Sequence, residues 1–215
     1  MIYLSYFLDE NTPLYGGDRG VKIAKERSIP NGDTANTKMV SLNNHSGTHI
    51  DFPNHFFEDG KKSNDYDANF WMFNNVCLIH KEVESGVLFG FDERVMESIP
   101  DDTELLIIKT GFFKFRGEEL YWKHNPGILP EVAGILRDKC KKLRAIGMDF
   151  ISLTSYQHRE TGRAAHREFL GVNDILLIED MDLRLLDSSP SKVICLPLLL
   201  NEVDGSPVTI IADTK

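Results

Sequence analysis

The feature that most constrains this chain is residues 45–55, which read His45-Ser46-Gly47-Thr48-His49-Ile50-Asp51-Phe52-Pro53-Asn54-His55 and hold three of the chain's 7 histidines. Imidazole and carboxylate donors this close together are ligands that zinc, manganese and similar ions accept. The residues between them limit how they can meet. A helix would put His45 and His49 on one face, but Gly47 weakens a helix and Pro53 disfavours the α conformation at Phe52. A straight strand would hold the two histidines about 13 Å apart, too far for one ion. The compatible arrangement is a strand that ends near His45, bends at Gly47 and presents His45, His49 and Asp51 from a turn. Pro53 then fixes the exit and places His55 beside the ion. The competing reading is an ordinary polar loop with solvated histidines.

If the donors do hold a metal, their chemistry follows. A divalent ion on His45, His49 and Asp51, with one position open, lowers the pKa of bound water to about 7 and polarises a carbonyl. His55, set beyond Pro53, is the candidate acid/base, taking a proton from water and passing it to a leaving group.

Composition excludes several other classes. A chain of 215 residues, 41% hydrophobic and 27% charged, can bury its own core, most simply as one domain over residues 1–215. The formal charge of -9 argues against nucleic acid or an anionic membrane as partner and in favour of a small molecule. Cys77, Cys140 and Cys195 are far apart, with no Cys-x-x-Cys, so neither a disulfide framework nor a zinc knuckle is expected and a reducing cytoplasm fits best. The apolar start, residues 1–8, lacks a basic flank and is too short for a signal peptide or a span, so it reads as a strand.

Along the chain, strands are expected at residues 21–26, 38–42, 76–79, 104–111, 145–152, 175–179, 193–200 and 205–212, the last two joined by a turn at Asp204-Gly205. A short helix capped by Asp92 precedes Pro100, and longer helices are expected over 130–143 and 159–170. Many strands with a few helices make an α+β domain. Phe56, Phe57, Phe70, Trp71 and Phe73 form a local excess of aromatics; Phe56 and Trp71 are candidates to hold a flat substrate ring, with core packing as the alternative. Glu179 ends a purely apolar strand, a costly place for a carboxylate unless it is paired or bound to a cation.

The pattern His-x-Gly-Thr-His-x-Asp-x-Pro-x-His, followed by Phe56, resembles the signature of the metal-dependent cyclase-like hydrolases, the family that includes bacterial kynurenine formamidase and isatin hydrolase. That resemblance implies a β-rich, barrel-like core of the swivelling β/β/α type with a few packed helices. It also implies a downstream histidine and glutamate, matched here by His166 and Glu179, which with a bridging Asp51 would hold a second ion; His158 competes with His166 for that role. Thr110-Gly111 and the Gly147-x-Asp149-x-x-Ser152 element resemble further family features, with Asp149 either supporting the site or serving as a strand-end turn residue. Tyr15 and Gly16 fall in the stretch that covers the family's active-site mouth. The implied activity is hydrolysis of an N-formyl aryl amine or a cyclic aryl amide, with zinc or manganese, one or two per chain, in a homodimer or homotetramer. A cyclase or lactone-type enzyme and a non-catalytic metal-dependent binding protein are the alternatives.

Overall fold

The computed structural model describes residues 1–214. Its strands, in chain order, are β1 (Ile2–Tyr3), β2 (Val21–Arg27), β3 (Thr37–Leu42), β4 (His49–Asp51), β5 (Met72–Phe73), β6 (Val76–His80), β7 (Leu88–Phe89), β8 (Leu105–Lys109), β9 (Gly127–Ile128), β10 (Ala145–Met148), β11 (Leu176–Glu179), β12 (Lys192–Pro197) and β13 (Gly205–Asp213). The helices are α1 (Glu93–Ser98), α2 (Glu119–Lys123), α3 (Glu131–Lys139) and α4 (Arg159–Arg167).

The unbroken apolar runs become the centre of one mixed sheet, ordered β5-β12-β13-β4-β11-β10-β8-β6, with β1 added beside β13. Strands β6, β8, β10 and β11 are parallel. Leu105, Leu106, Ile107 and Ile108 are fully buried, as are Ala145, Ile146 and Met148, which is why these strands read as continuous hydrophobic runs. Strands β4, β13, β12 and β5 continue the sheet in antiparallel fashion. Its outermost strands, β5 and β6, are separated in sequence only by Asn74 and Asn75. Two residues cannot cross a flat sheet, so the edges lie side by side and the sheet is nearly closed into a barrel. Glu104 pins this corner, its Oε2 accepting from Asn74 N at 2.8 Å and Asn75 N at 3.2 Å.

Helices pack on this core where their apolar spacing requires it. Asp92 caps α1 by accepting from Val95 N at 2.9 Å, and α3 buries Val132, Ala133 and Leu136. Helix α4 ends at Arg167 and passes into a single π turn, Glu168–Val172, so the expected helix over 159–170 changes its hydrogen bonding before its end. The first expected strand is shorter than its apolar run: only Ile2 and Tyr3 pair with β13. Beyond Leu4 the Ser5 hydroxyl, not a backbone group, accepts from Ile210 N. Nor are β12 and β13 joined by a two-residue turn; β12 stops at Pro197, and residues 198–204 intervene before Gly205. Among the described residues no helix is long and apolar enough to cross a membrane.

Candidate metal centre and active site

Strand β4 brings the site together. It is three residues long and lies between β11 and β13, with His49 directly opposite Glu179 on one side and Asp51 opposite Gly205 on the other. Because side chains two apart on a strand share a face, His49 and Asp51 point the same way, toward Glu179. His49 and Asp51 therefore come from a short buried strand, where the sequence suggested a turn, while His45 does lie on a turn after β3. The bend falls before them, at Gly47, whose φ of 64° suits glycine. A Cβ there would meet Leu8 Cδ2 at 2.4 Å.

Helix α4 supplies His166 from across the cavity, and His166, not His158, is the histidine that reaches the carboxylates. His166 Nε2 lies 3.6 Å from Asp51 Oδ2 and 3.5 Å from Glu179 Oε1. His49 Nε2 lies 3.5 Å from Asp51 Oδ1 and 3.5 Å from Glu179 Oε2. All four side chains are buried.

The tautomers decide what this arrangement can hold. His49 Nδ1 is 2.8 Å from Gly47 O, and His166 Nδ1 is 2.9 Å from Gly162 O. A carbonyl only accepts, so each Nδ1 carries the proton and each Nε2 directs a lone pair at carboxylate oxygens. Lone pair against carboxylate is repulsive unless positive charge lies between them. The separations of 3.5–3.6 Å are too long for good hydrogen bonds; they match the roughly 3.4 Å between neighbouring ligands of a tetrahedral ion with bonds of about 2.0–2.1 Å. His49, Asp51 and Glu179 each bring one ligand atom within 4.8 Å of the others and so fit a divalent ion; His166 faces the other oxygen of each carboxylate and borders that group. Burial opposes charge on His166, yet its contacts with Asp51 and Glu179 raise its pKa to about 9, the same demand for a cation expressed as a proton. Glu179 is further fixed by Leu153 N at 2.7 Å and Ser152 Oγ at 3.2 Å.

A second cluster shares Asp51. His45 Nδ1 is 2.8 Å from Asp51 Oδ1 and its Nε2 is 3.0 Å from Asp204 Oδ2. His55 Nδ1 is 2.8 Å from the same Asp204 oxygen. Burial works against a charged His45, but Asp51 and Asp204 outweigh it and raise its pKa to about 10. Hydrogen bonds from His45 and His55 hold Asp204 well below the usual carboxylate range, and Asn44 Nδ2 donates to its other oxygen at 2.7 Å. Nothing in the sequence singled out Asp204 as a site residue, because Asp-Gly reads first as a turn.

His45, His49, Asp51, His55, His166 and Glu179 line a cavity of about 570 Å³, together with Tyr15, Phe56, Tyr156, Arg159 and Arg163. Phe56 stacks on His166 with ring centroids 4.7 Å apart, so it remains a wall for a flat ring. Trp71 does not line this cavity. It is 5% exposed and packs with Phe52, Tyr66 and Phe70, because its area is taken up by the core. Asp149 likewise stays away from the donors and accepts from Thr110 N, Thr110 Oγ1 and Gly111 N at 2.6–2.9 Å, which makes it the strand-end turn residue.

The chain is similar in sequence and in fold to known proteins. The family model described as "Putative cyclase" matches residues 2–154. A kynurenine formamidase of Geobacillus thermodenitrificans is 30% identical over 207 residues, spanning 96% of this chain and 94% of that protein. Cyclase-like protein 1 of Arabidopsis thaliana is 28% identical over 195 residues, spanning 86% and 72%. In fold, the chain resembles isatin hydrolase A from Labrenzia aggregata bound to benzyl benzoate, with a TM-score of 0.82 at 21% identity over 100% of this chain and 93% of that one.

Proposed function

This chain belongs to the cyclase-like metal-dependent hydrolase family, and on that footing we propose that it hydrolyses a non-peptide C–N bond in a small aryl amide, an N-formyl aryl amine or a cyclic aryl amide. The observation that carries the reading is the pair of Nε2 lone pairs, on His49 and His166, aimed at Asp51 and Glu179 from 3.5–3.6 Å. These four residues would hold a divalent ion, zinc or manganese. Asp51 belongs to two donor groups, one with His49 and Glu179 and one with His45 and His55, and is the donor that a second ion near His45 would share. When bound, the ion supplies Lewis acidity toward the scissile carbonyl and lowers the pKa of water to about 7.

The chain's own residues do the rest. His55 Nδ1 faces a carboxylate, so it carries the proton and donates to Asp204, leaving Nε2 as the acceptor. Nε2 would take the proton of the attacking water and return it to the nitrogen as the C–N bond breaks. Asp204 orients the ring and stabilises the imidazolium that forms. Phe56 covers one wall, against which an aryl ring can lie.

The direct test is hydrolysis of N-formylkynurenine and of isatin by metal-loaded protein, with a chelator-treated control. Cleavage of either that the chelator abolishes supports the reading. Metal-loaded protein that cleaves neither would contradict the proposed substrate class. We further propose self-association into a homodimer or homotetramer, since the β2–β3 hairpin pairs only with itself and exposes Met39 and Val40; sedimentation measures it.

A further inference from the structure

The catalytic groups leave one part of the cavity wall without a role. Helix α4 carries Arg159, Arg163 and His166 at positions i, i+4 and i+7, which lie on one face. That face lines the cavity along its length. At 1.5 Å rise per residue, Arg163 stands about 4.5 Å and Arg159 about 10.5 Å along the helix from His166. Arg159 lies over the Tyr156 ring, its guanidinium carbon 4.0 Å from the centroid, and Tyr156 in turn sits 5.4 Å from Tyr15. Burial raises the Tyr15 pKa against the opposing influence of Arg159, and its hydroxyl donates to Ser155 O at 3.5 Å.

Neither arginine forms an ion pair among the described residues, although the chain has 33 acidic residues against 24 basic ones. Asp18, which also lines the cavity, pairs with neither. Two exposed guanidiniums on one side of the cavity, with the Tyr156 aromatic face beside them, match a planar anion. The rise of about 4.5 Å along α4 from His166 to Arg163 is comparable with the width of an aromatic ring.

We propose that Arg163, supported by Arg159, forms a carboxylate subsite, so that the preferred substrate is an aryl amide carrying a carboxylate across the ring from the scissile C–N bond. This rests on the hydrolase reading above. The competing role for the arginines is to balance the charge of Asp51, Glu179 and Asp204, which would affect every substrate alike.

The test uses the metal-loaded full chain with two probes, 4-formamidobenzoate and the neutral formanilide. Wild type should favour the anionic probe in kcat/KM. In Arg163→Gln the ratio of the two kcat/KM values should fall at least about tenfold, mainly through KM for the anionic probe. Arg163→Lys, which keeps the charge and loses the fork, should recover part of the preference. Calorimetric titration of the cleavage product 4-aminobenzoate, which keeps the carboxylate and cannot be hydrolysed, gives a readout independent of turnover: binding should weaken at least about tenfold in Arg163→Gln. An unchanged ratio, equal losses on both probes, or equal binding by the two proteins would overturn the subsite. Binding that depends on Arg163 without cleavage of either probe would uphold the subsite and contradict the hydrolase reading.

Discussion

His49 lies directly opposite Glu179 across the antiparallel ladder of β4 and β11, and its Nε2 approaches Glu179 Oε2 to 3.5 Å. Backbone pairing therefore fixes two donors from chain segments 130 residues apart (179 − 49). Strand β13 closes the other side of β4 with Gly205 opposite Asp51, leaving the space that the His45 ring occupies.

Gly205→Ala tests that space. The added Cβ would stand 2.4 Å from His45 Cε1, so the ring must move away from Asp51 and Asp204. We expect kcat/KM to fall about 100-fold, the scale of a 1 Å misplacement at a reacting centre, with far-UV circular dichroism unchanged. Activity at the wild-type level would show that His45 is not held by this contact.

On the proposed mechanism His55 and Asp204 move a proton and His55 is no ligand, although its ring lies within reach of an ion at His45 and Asp51. His55→Ala should lose at least about 100-fold in kcat, the contribution of a placed acid/base, while its metal content stays that of wild type. Asp204→Asn should lose less and should shift the pH dependence of kcat, because the amide cannot stabilise the imidazolium. Loss of metal from His55→Ala would make His55 a ligand instead.

The imidazole pKa shifts give a pH dependence with a defined sign. In metal-free protein His166 is raised to about 9 and His45 to about 10, above the ordinary 6.5. Their stabilisation is therefore fully present below 6.5 and is lost as pH rises through 9 to 10. A metal ion competes with these protons. The Tm difference between zinc-loaded and chelator-treated protein should widen between pH 6.5 and 10. A constant difference would contradict it.

Behind the site, Asp180 is buried with φ of 51° and is held by Arg116 at 2.7–2.8 Å and by the Tyr121 hydroxyl at 2.6 Å. This network fixes the turn immediately after Glu179. Arg116→Leu leaves the Asp180 carboxylate without its cation and should destabilise the fold by about 3–5 kcal/mol, read by urea unfolding. A loss below about 1 kcal/mol would mean that solvent replaces the arginine.

Much of this was legible locally. The donors within residues 45–55 declare themselves by residue type, and Glu179 by its position at the end of an apolar run. The α+β class follows from strand periodicity. What stayed hidden depends on long-range pairing. That His49 and Asp51 sit on a strand is set by β11 and β13, not by Gly47 or Pro53. Asp204 reaches His55 across 149 residues, and its Asp-Gly pair signals only a turn. The aromatic excess around Trp71 carried no sign of which rings turn inward; Phe56 faces the cavity while Trp71 went to the core.

The most direct measurement is the metal content of the full chain purified without chelator and reloaded with zinc or manganese, compared with Glu179→Gln. We expect at least one ion per wild-type chain, and an affinity about 10–100-fold or more weaker in the variant. Wild-type protein that takes up no ion under either loading, or a variant that binds as tightly as wild type, would contradict the assignment of His49, Asp51, His166 and Glu179 as a metal centre.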